Sequence, residues 1–289
     1  MFPEFRSATF QHQDINIHYV IGGSGPPLLL LHGYPQSHVM WHKIAPALAE
    51  KYTVVASDLR GYGDSSTPPT TEDHAPYSKR ETAKDQVLLM QELGFDRFSV
   101  AGHDRGGRVA HRMALDHPAA IEKIAVMDIA PTYSMYVTTD MEFARAYYHW
   151  FFLIQPYDLP EKMIGNDPVW FLSRKFKQWG RDNGAFTEEA LKEYHRCFTS
   201  ETIHASCEDY RASASIDLMH DQVDIKEGNM IECPMLCLWG EKGFVGRKYN
   251  VVAEWKLWAE DVEGFGLPCG HYLPEEDPEG TLKAMLDFF

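Results

Sequence analysis

The chain has 289 residues, of which 44% are hydrophobic and 24% charged, the composition of an ordinary globular protein long enough to bury a substantial core. A formal net charge of −15 argues against nucleic acid or an anionic membrane surface as a partner, since both are bound through basic patches. Five cysteines, Cys197, Cys207, Cys233, Cys237 and Cys269, are odd in number and scattered, which fits reduced core thiols better than a disulfide framework or a metal site.

In chain order, residues 7–21 alternate well enough for two strands, and Pro27–Leu31 is an apolar run of buried-strand type that ends in His32-Gly33-Tyr34-Pro35. A helix is expected over 40–50 and a strand over 53–56, the latter ending at Asp58-Leu59-Arg60-Gly61-Tyr62-Gly63. Ser78 with Glu81 three residues on forms a capping box for a helix over 79–93. Another strand then enters Gly102-His103-Asp104-Arg105-Gly106-Gly107-Arg108, and a further strand over 124–127 ends at Asp128. From 133 to 228 the alternation stops, and the chain becomes helical, aromatic and interrupted by Pro156, Pro160 and Pro168. It resumes with a strand over 234–240, a helix over 249–258, the segment 261–267 and a last helix ending at Phe289. Strands alternating with helices imply an α/β fold with a mostly parallel sheet flanked by helices. The interruption implies a helical cap, 133–228, inserted into a core of 1–132 and 229–289. No secretory leader or span of transmembrane length is evident, so a cytoplasmic protein is expected.

The stretch around Asp104 carries the chemistry. A strand, a Gly-x-x-x-Gly turn and a helix form a nucleophile elbow, in which glycines let the backbone pass close while one side chain is thrust into a cleft. Here that side chain is an aspartate, which can attack carbon and form an ester, and the helix N-terminus favours its ionised form. The competing reading is an aspartate that merely caps the helix. Arg105 and Arg108 lie three apart at the positive end of the helix, where they are disfavoured unless an anion joins them. Arginine forks suit bidentate binding of a carboxylate, so a carboxylate-bearing substrate is expected.

An ester on Asp104 needs a base to activate water, and His271, after the last expected strand and beside Gly270, is in the right place in the chain. Its orienting acid is assigned to Asp128, with Glu241 as the only substitute after the next strand. The amides of Tyr34 and Arg105 are the expected donors to the oxyanion formed when water attacks the ester.

With these motifs, together with Met127-Asp128-Ile129, His149-Trp150, Tyr210-Arg211 and Gly270-His271, nearly the whole chain resembles the α/β-hydrolase superfamily, and within it the fluoroacetate (haloacetate) dehalogenases. Relatives that act on haloalkanes or epoxides usually carry tryptophan directly after the nucleophile, where this sequence has Arg105. The resemblance implies a halide pocket of His149, Trp150 and Tyr210, whose imidazole, indole and phenol groups could replace the water around a departing fluoride. From spacing alone the same aromatics read as cap packing. It further implies a haloacid substrate, no metal or organic cofactor, and a homodimer. Two rival functions remain open: an epoxide hydrolase, which would use Tyr147, Tyr148 or Tyr210 as proton donors, and a non-catalytic sensor of a small acid.

Overall fold

The structure, a computed structural model, describes residues 1–180 and 184–289. Its centre is an eight-stranded sheet built from β1 (Arg6–His12), β2 (Ile15–Gly22), β3 (Pro27–Leu31), β4 (Thr53–Ser57), β5 (Phe98–His103), β6 (Ile121–Met127), β7 (Met235–Gly240) and β8 (Val262–Leu267). The spatial order is β1-β2-β4-β3-β5-β6-β7-β8. β1 pairs antiparallel with β2, and β2 with β4; every later pair is parallel.

The leucine run of β3 shows why the parallel part reads as continuous hydrophobics rather than as an alternation. Leu28 and Leu30 are fully buried on one face, in a cluster with Met40, Trp41, Ile44 and Met285. Leu29 and Leu31 are equally buried on the other, against Met90, Val109 and Met113. A strand covered on both faces has no solvent side to mark with polar residues. Each such leucine stabilises the fold by roughly 1.5–3 kcal/mol through burial.

Two expected helices are shorter than their apolar patterns. Over 40–50 the chain makes a single turn at His38–Trp41 and a short helix at Ala45–Leu48, because Pro46 lacks an N–H and cannot continue a helix begun upstream. Near 249–258 the helix is Val251–Trp255, started by Asn250, whose side chain accepts from Ala253 N at 3.2 Å. Ser78 does cap the helix Lys79–Glu92, with Oγ accepting from Glu81 N at 3.3 Å, but its own amide donates to Ala75 O and not to Glu81, so the expected capping box is only half formed.

Between β6 and β7 the described residues form helices and no strand, from Thr132–Val137 to Ile216–Glu227. The last of these ends at Gly228, whose left-handed φ of 73° terminates it and turns the chain back toward the sheet. Two of the helices matter below. Pro168–Trp179 is started by Asp167, which accepts from Trp170 N, and Ser200–Ser213 by Thr199, which accepts from Thr202 N. No helix of the described residues is long and apolar enough to cross a membrane.

The strand order reverses at β3: its successor β4 lies on one side and β5 on the other. In open parallel sheets the crevice at the carboxyl ends of the strands flanking such a reversal is where ligands bind. Here those ends deliver Tyr34 and Asp104. The loops after β3 and β4 are tied together by buried Asp58, which accepts from His38 N at 2.7 Å and Asp64 N at 3.0 Å and pairs with the rings of His18 and His38.

Candidate active site

β5 enters the elbow and the helix Arg105–Asp116 leaves it, with Asp104 between them at φ 47° and ψ −113°. A left-handed, non-glycine residue stores strain that the surroundings must hold. They hold it by close approach: a Cβ on Gly102 would lie 2.3 Å from Gly106 O, and one on Gly106 would lie 2.4 Å from His32 O. Asp104 N donates to Met127 O at 3.1 Å, and Tyr34 N donates to Asp104 Oδ1 at 2.9 Å. Among the described residues Oδ2 accepts no hydrogen bond, so one carboxylate oxygen is fixed and the other is free. Asp104 stands at the N-cap position of the helix, but its side chain makes no capping hydrogen bond and is left for other work. Burial would raise its pKa, but the charges of His271, Arg105 and Arg108 oppose burial, and the pKa lies below the usual carboxylate value.

His271 Nδ1–H donates to Asp128 Oδ2 at 2.6 Å, and Asp128 Oδ1 accepts from Gly240 N at 3.0 Å. The loops after β6 and β7 thus fix the acid, the acid fixes the tautomer, and Nε2 of His271 is left as the basic nitrogen. Burial disfavours the imidazolium, yet the hydrogen bond and charge of Asp128, with Asp104 behind them, raise the pKa of His271 above its ordinary value. The substitute acid, Glu241, is exposed and makes no bond to His271. His103, adjacent to Asp104 in sequence, donates from Nε2 to His271 O at 2.7 Å, and its ring packs 4.5 Å from the His271 ring. Burial drives the pKa of His103 down to about 3, so it is neutral.

The two arginines, equivalent in sequence, differ in the fold. Arg105 is already paired: Nε donates to Asp209 Oδ2 at 2.6 Å and Nη2 to Asp209 O at 2.9 Å, while Lys79 and Tyr62 hold the same carboxylate. Only Nη1 of Arg105 is buried without a partner. The anion that Arg105 was expected to need is thus supplied largely by Asp209. Asp209, which sits 104 positions away, carries no local sign of the pairing. Arg108 has no carboxylate partner among the described residues. It donates to Ala130 O at 3.1 Å, to Thr132 Oγ1 at 2.9 Å and to Met135 Sδ at 3.2 Å, and its Nε is buried and unpartnered. Burial and the neighbouring Arg105 depress its pKa, with Asp104 opposing.

The structure brings His149, Trp150 and Tyr210 together above this centre. Ring centroids lie 5.6 Å apart for His149 and Tyr210 and 6.3 Å for Trp150 and Tyr210, with Tyr34 5.5 Å from Tyr210. All three are buried, and His149 Nδ1 and Tyr210 Oη have no hydrogen-bond partner. Buried polar atoms are almost always satisfied, so a concentration of orphans marks a place for a ligand. The guanidinium of Arg105 lies 4.1 Å over Tyr210, and that of Arg108 4.8 Å over Trp150. A cavity of about 200 Å³, lined by Tyr147, Trp179, Gly243, Phe244 and Arg247, reaches His271. A larger cleft of about 890 Å³, around Tyr157, His204 and Arg211, contains none of the candidate residues. Tyr147 was weighed from sequence only as a proton donor to an epoxide, and Trp179 was not legible as a site residue, because an aromatic at helical spacing reads as packing.

The family profile of the alpha/beta hydrolase fold matches residues 26–278. The chain belongs to the alpha/beta hydrolase fold family. Over its whole length this hydrolase is similar to a fluoroacetate dehalogenase from a Burkholderia species, at 44% identity over 290 residues, covering 100% of this chain and 95% of that protein. A soluble epoxide hydrolase from Corynebacterium sp. (strain C12) is 35% identical over 281 residues, 94% of this chain and 93% of that protein. Among solved structures, an alpha/beta hydrolase from Nostoc sp PCC 7120 superposes with a TM-score of 0.98 at 58% identity, covering 100% of this chain and 99% of that one.

Proposed function

We propose that this hydrolase removes halide from small 2-haloacids, with fluoroacetate converted to glycolate, through an ester on Asp104. The observation that carries this reading is Arg108, a buried guanidinium without a carboxylate partner beside the nucleophile, with the spare Nη1 of Arg105 next to it. A buried charge left without a counter-ion is costly, and a substrate carboxylate would supply one.

In the first step Asp104 Oδ2 attacks the halogen-bearing carbon, the new C–O bond forms as the carbon–halogen bond breaks, and halide leaves with the electron pair. His149, Trp150 and Tyr210 offer hydrogen-bond donors to it, which strengthen as negative charge develops. In the second step His271 Nε2 takes a proton from water, whose oxygen attacks Asp104 Cγ. The resulting charge rests on Oδ1, already held by the Tyr34 amide, with the Arg105 amide as the second donor. Collapse breaks the Cγ–Oδ2 bond, the departing alkoxide of the hydroxyacid takes the proton from His271, and the carboxyl group left on Asp104 releases its remaining proton to regenerate the carboxylate. Every group required is a protein side chain or amide, so the reaction as written uses no cofactor. In this reading the helical segment 133–228 is a cap that carries the halide donors, and 1–132 with 229–289 is the catalytic core.

The second reading is epoxide hydrolysis, favoured by the full-length likeness to the Corynebacterium enzyme and by the unpartnered hydroxyl of Tyr210. An uncharged epoxide, however, leaves Arg108 uncompensated. Turnover of fluoroacetate, chloroacetate and a simple epoxide, measured side by side, tests the choice. Halide release from both haloacetates with no epoxide opening is expected, and the opposite pattern overturns the proposal.

A further inference from the structure

The helix Pro168–Trp179 buries Phe171, Leu172, Lys175, Phe176 and Trp179, a stripe at helical spacing in which four positions are apolar or aromatic and the central one is lysine. Lys175 is fully buried. Its ammonium donates to Tyr148 Oη at 2.9 Å and lies 4.0 Å from the Tyr148 ring, 4.9 Å from Trp179 and 5.1 Å from Phe171. Among the described residues it has no carboxylate partner. Lysine is almost never fully buried unless paired, and a break in local pattern without a structural gain is expected at functional positions.

The cage lies against the halide donors. The Trp179 ring is 4.5 Å from that of His149, and the ammonium is 4.9 Å from Trp179, so the charge lies within about 9.4 Å of the His149 ring. Of the buried basic side chains around the site among the described residues, Lys79 and Arg105 share Asp209, whereas Arg108 and Lys175 have no carboxylate partner. The first step begins and ends with two anions. Before attack these are Asp104 and the substrate carboxylate; after it, the carboxylate and the halide. One negative charge therefore travels from Asp104 toward His149, and Lys175 is the unpaired cation on that side.

We propose that Lys175 is the counter-ion of the departing halide, a positioning residue that acts across Trp179 and His149 rather than by touching substrate. This rests on the dehalogenase reading of the pocket. Burial pushes the pKa of Lys175 down to about 7, so a halide arriving on that side would draw it into its charged form. At an effective dielectric near 20, a unit charge about 9 Å away changes a rate or an affinity on the order of tenfold.

The test compares Lys175→Met and Lys175→Gln, which remove the charge, with Lys175→Arg, which keeps it. Chloride and bromide affinity, read by quenching of tryptophan fluorescence, does not depend on turnover. Both neutral variants are expected to bind halide five- to twentyfold more weakly and to lose about tenfold in kcat on fluoroacetate, with KM within twofold of the parent. Lys175→Arg should recover most of both. Melting temperature should stay level or rise in the methionine variant, because an unpaired buried charge costs stability. A folded neutral variant with parental halide affinity and kcat overturns the proposal, and so does a loss of kcat that tracks a fall in melting temperature with halide affinity unchanged. If the parent binds chloride in a Lys175-dependent way yet releases no halide from any haloacetate, the counter-ion role stands and the dehalogenase reading falls.

Discussion

The ends of the sheet and the helical segment above them present opposite pictures. At the sheet, Tyr34 N holds Asp104 Oδ1, Asp128 is shared between His271 and Gly240 N, and His103 holds the His271 carbonyl. Above and beside it, His149 Nδ1, Tyr210 Oη, Trp179 Nε1, Arg105 Nη1 and Arg108 Nε are buried with nothing to bond. The proposed bond-making groups are held in place without ligand, although Tyr34 Oη and His103 Nδ1 beside them are also unpartnered, whereas the proposed recognition groups lack an anion. In the proposed mechanism the difference separates two roles: preorganised groups do chemistry on whatever carbon is delivered, and the unsatisfied groups select a substrate that carries a carboxylate and a leaving halide.

The largest expected effect lies on the side already held in place. Asp104→Asn should abolish turnover, because an amide does not attack saturated carbon, while folding is retained; residual activity above about one part in a thousand, after excluding deamidation, would contradict the assignment. The next separates the two arginines. Arg108→Ala should weaken productive binding of haloacetate by roughly 2–5 kcal/mol, as for loss of one partner of a buried charge pair, with little change in melting temperature. Arg105→Ala should weaken binding as well, and should also destabilise the folded protein by up to about 3–5 kcal/mol, less whatever Lys79 retains of Asp209. Equal melting temperatures for the two variants would show that the Asp209 pairing is unimportant. Haloacetamides turned over as well as haloacetates by the parent would remove the carboxylate clamp altogether.

A smaller effect concerns the leaving group. Trp150→Phe and Tyr210→Phe keep the rings and delete the donors, so fluoroacetate should slow about tenfold more than chloroacetate, whose anion is larger and less strongly hydrated. If both substrates slow by the same factor, these residues only pack. The smallest is a displacement in pH. His271 works as a base when neutral, and its pKa is raised, so the hydrolytic step should fall as pH drops through a value above 6.5. Asp128→Asn removes the main raising influence and should move that midpoint down while lowering the plateau. A midpoint unmoved in that variant would deny the pairing its role.

The parts of this account that were legible from sequence are those governed by neighbours in the chain. The β3 leucines, the Ser78 cap and the glycines packed around Asp104 each act within a few residues, so their spacing carries the information. Chain order was enough to relate Asp104, Asp128 and His271, because the fold delivers the ends of β5, β6 and the last strand to one crevice. Pro46 was in view but underweighted, and the helix over 40–50 is correspondingly broken. Asp209 was not legible, since its partner Arg105 comes from another segment and nothing local marks it. His149, Trp150 and Tyr210 were proposed from the family resemblance, and the orphaned His149 Nδ1 and Tyr210 Oη, the physical sign of a pocket, appear only in three dimensions.

The ester on Asp104 is the central claim, and trapping it is the most direct test. Replacing His271 by Asn removes the base for the second step and leaves the first intact. Intact-protein mass spectrometry after exposure of this variant to fluoroacetate should show one carboxymethyl group per chain, mapped by peptide analysis to Asp104. A folded His271→Asn variant that releases fluoride yet never carries the adduct would contradict the two-step scheme.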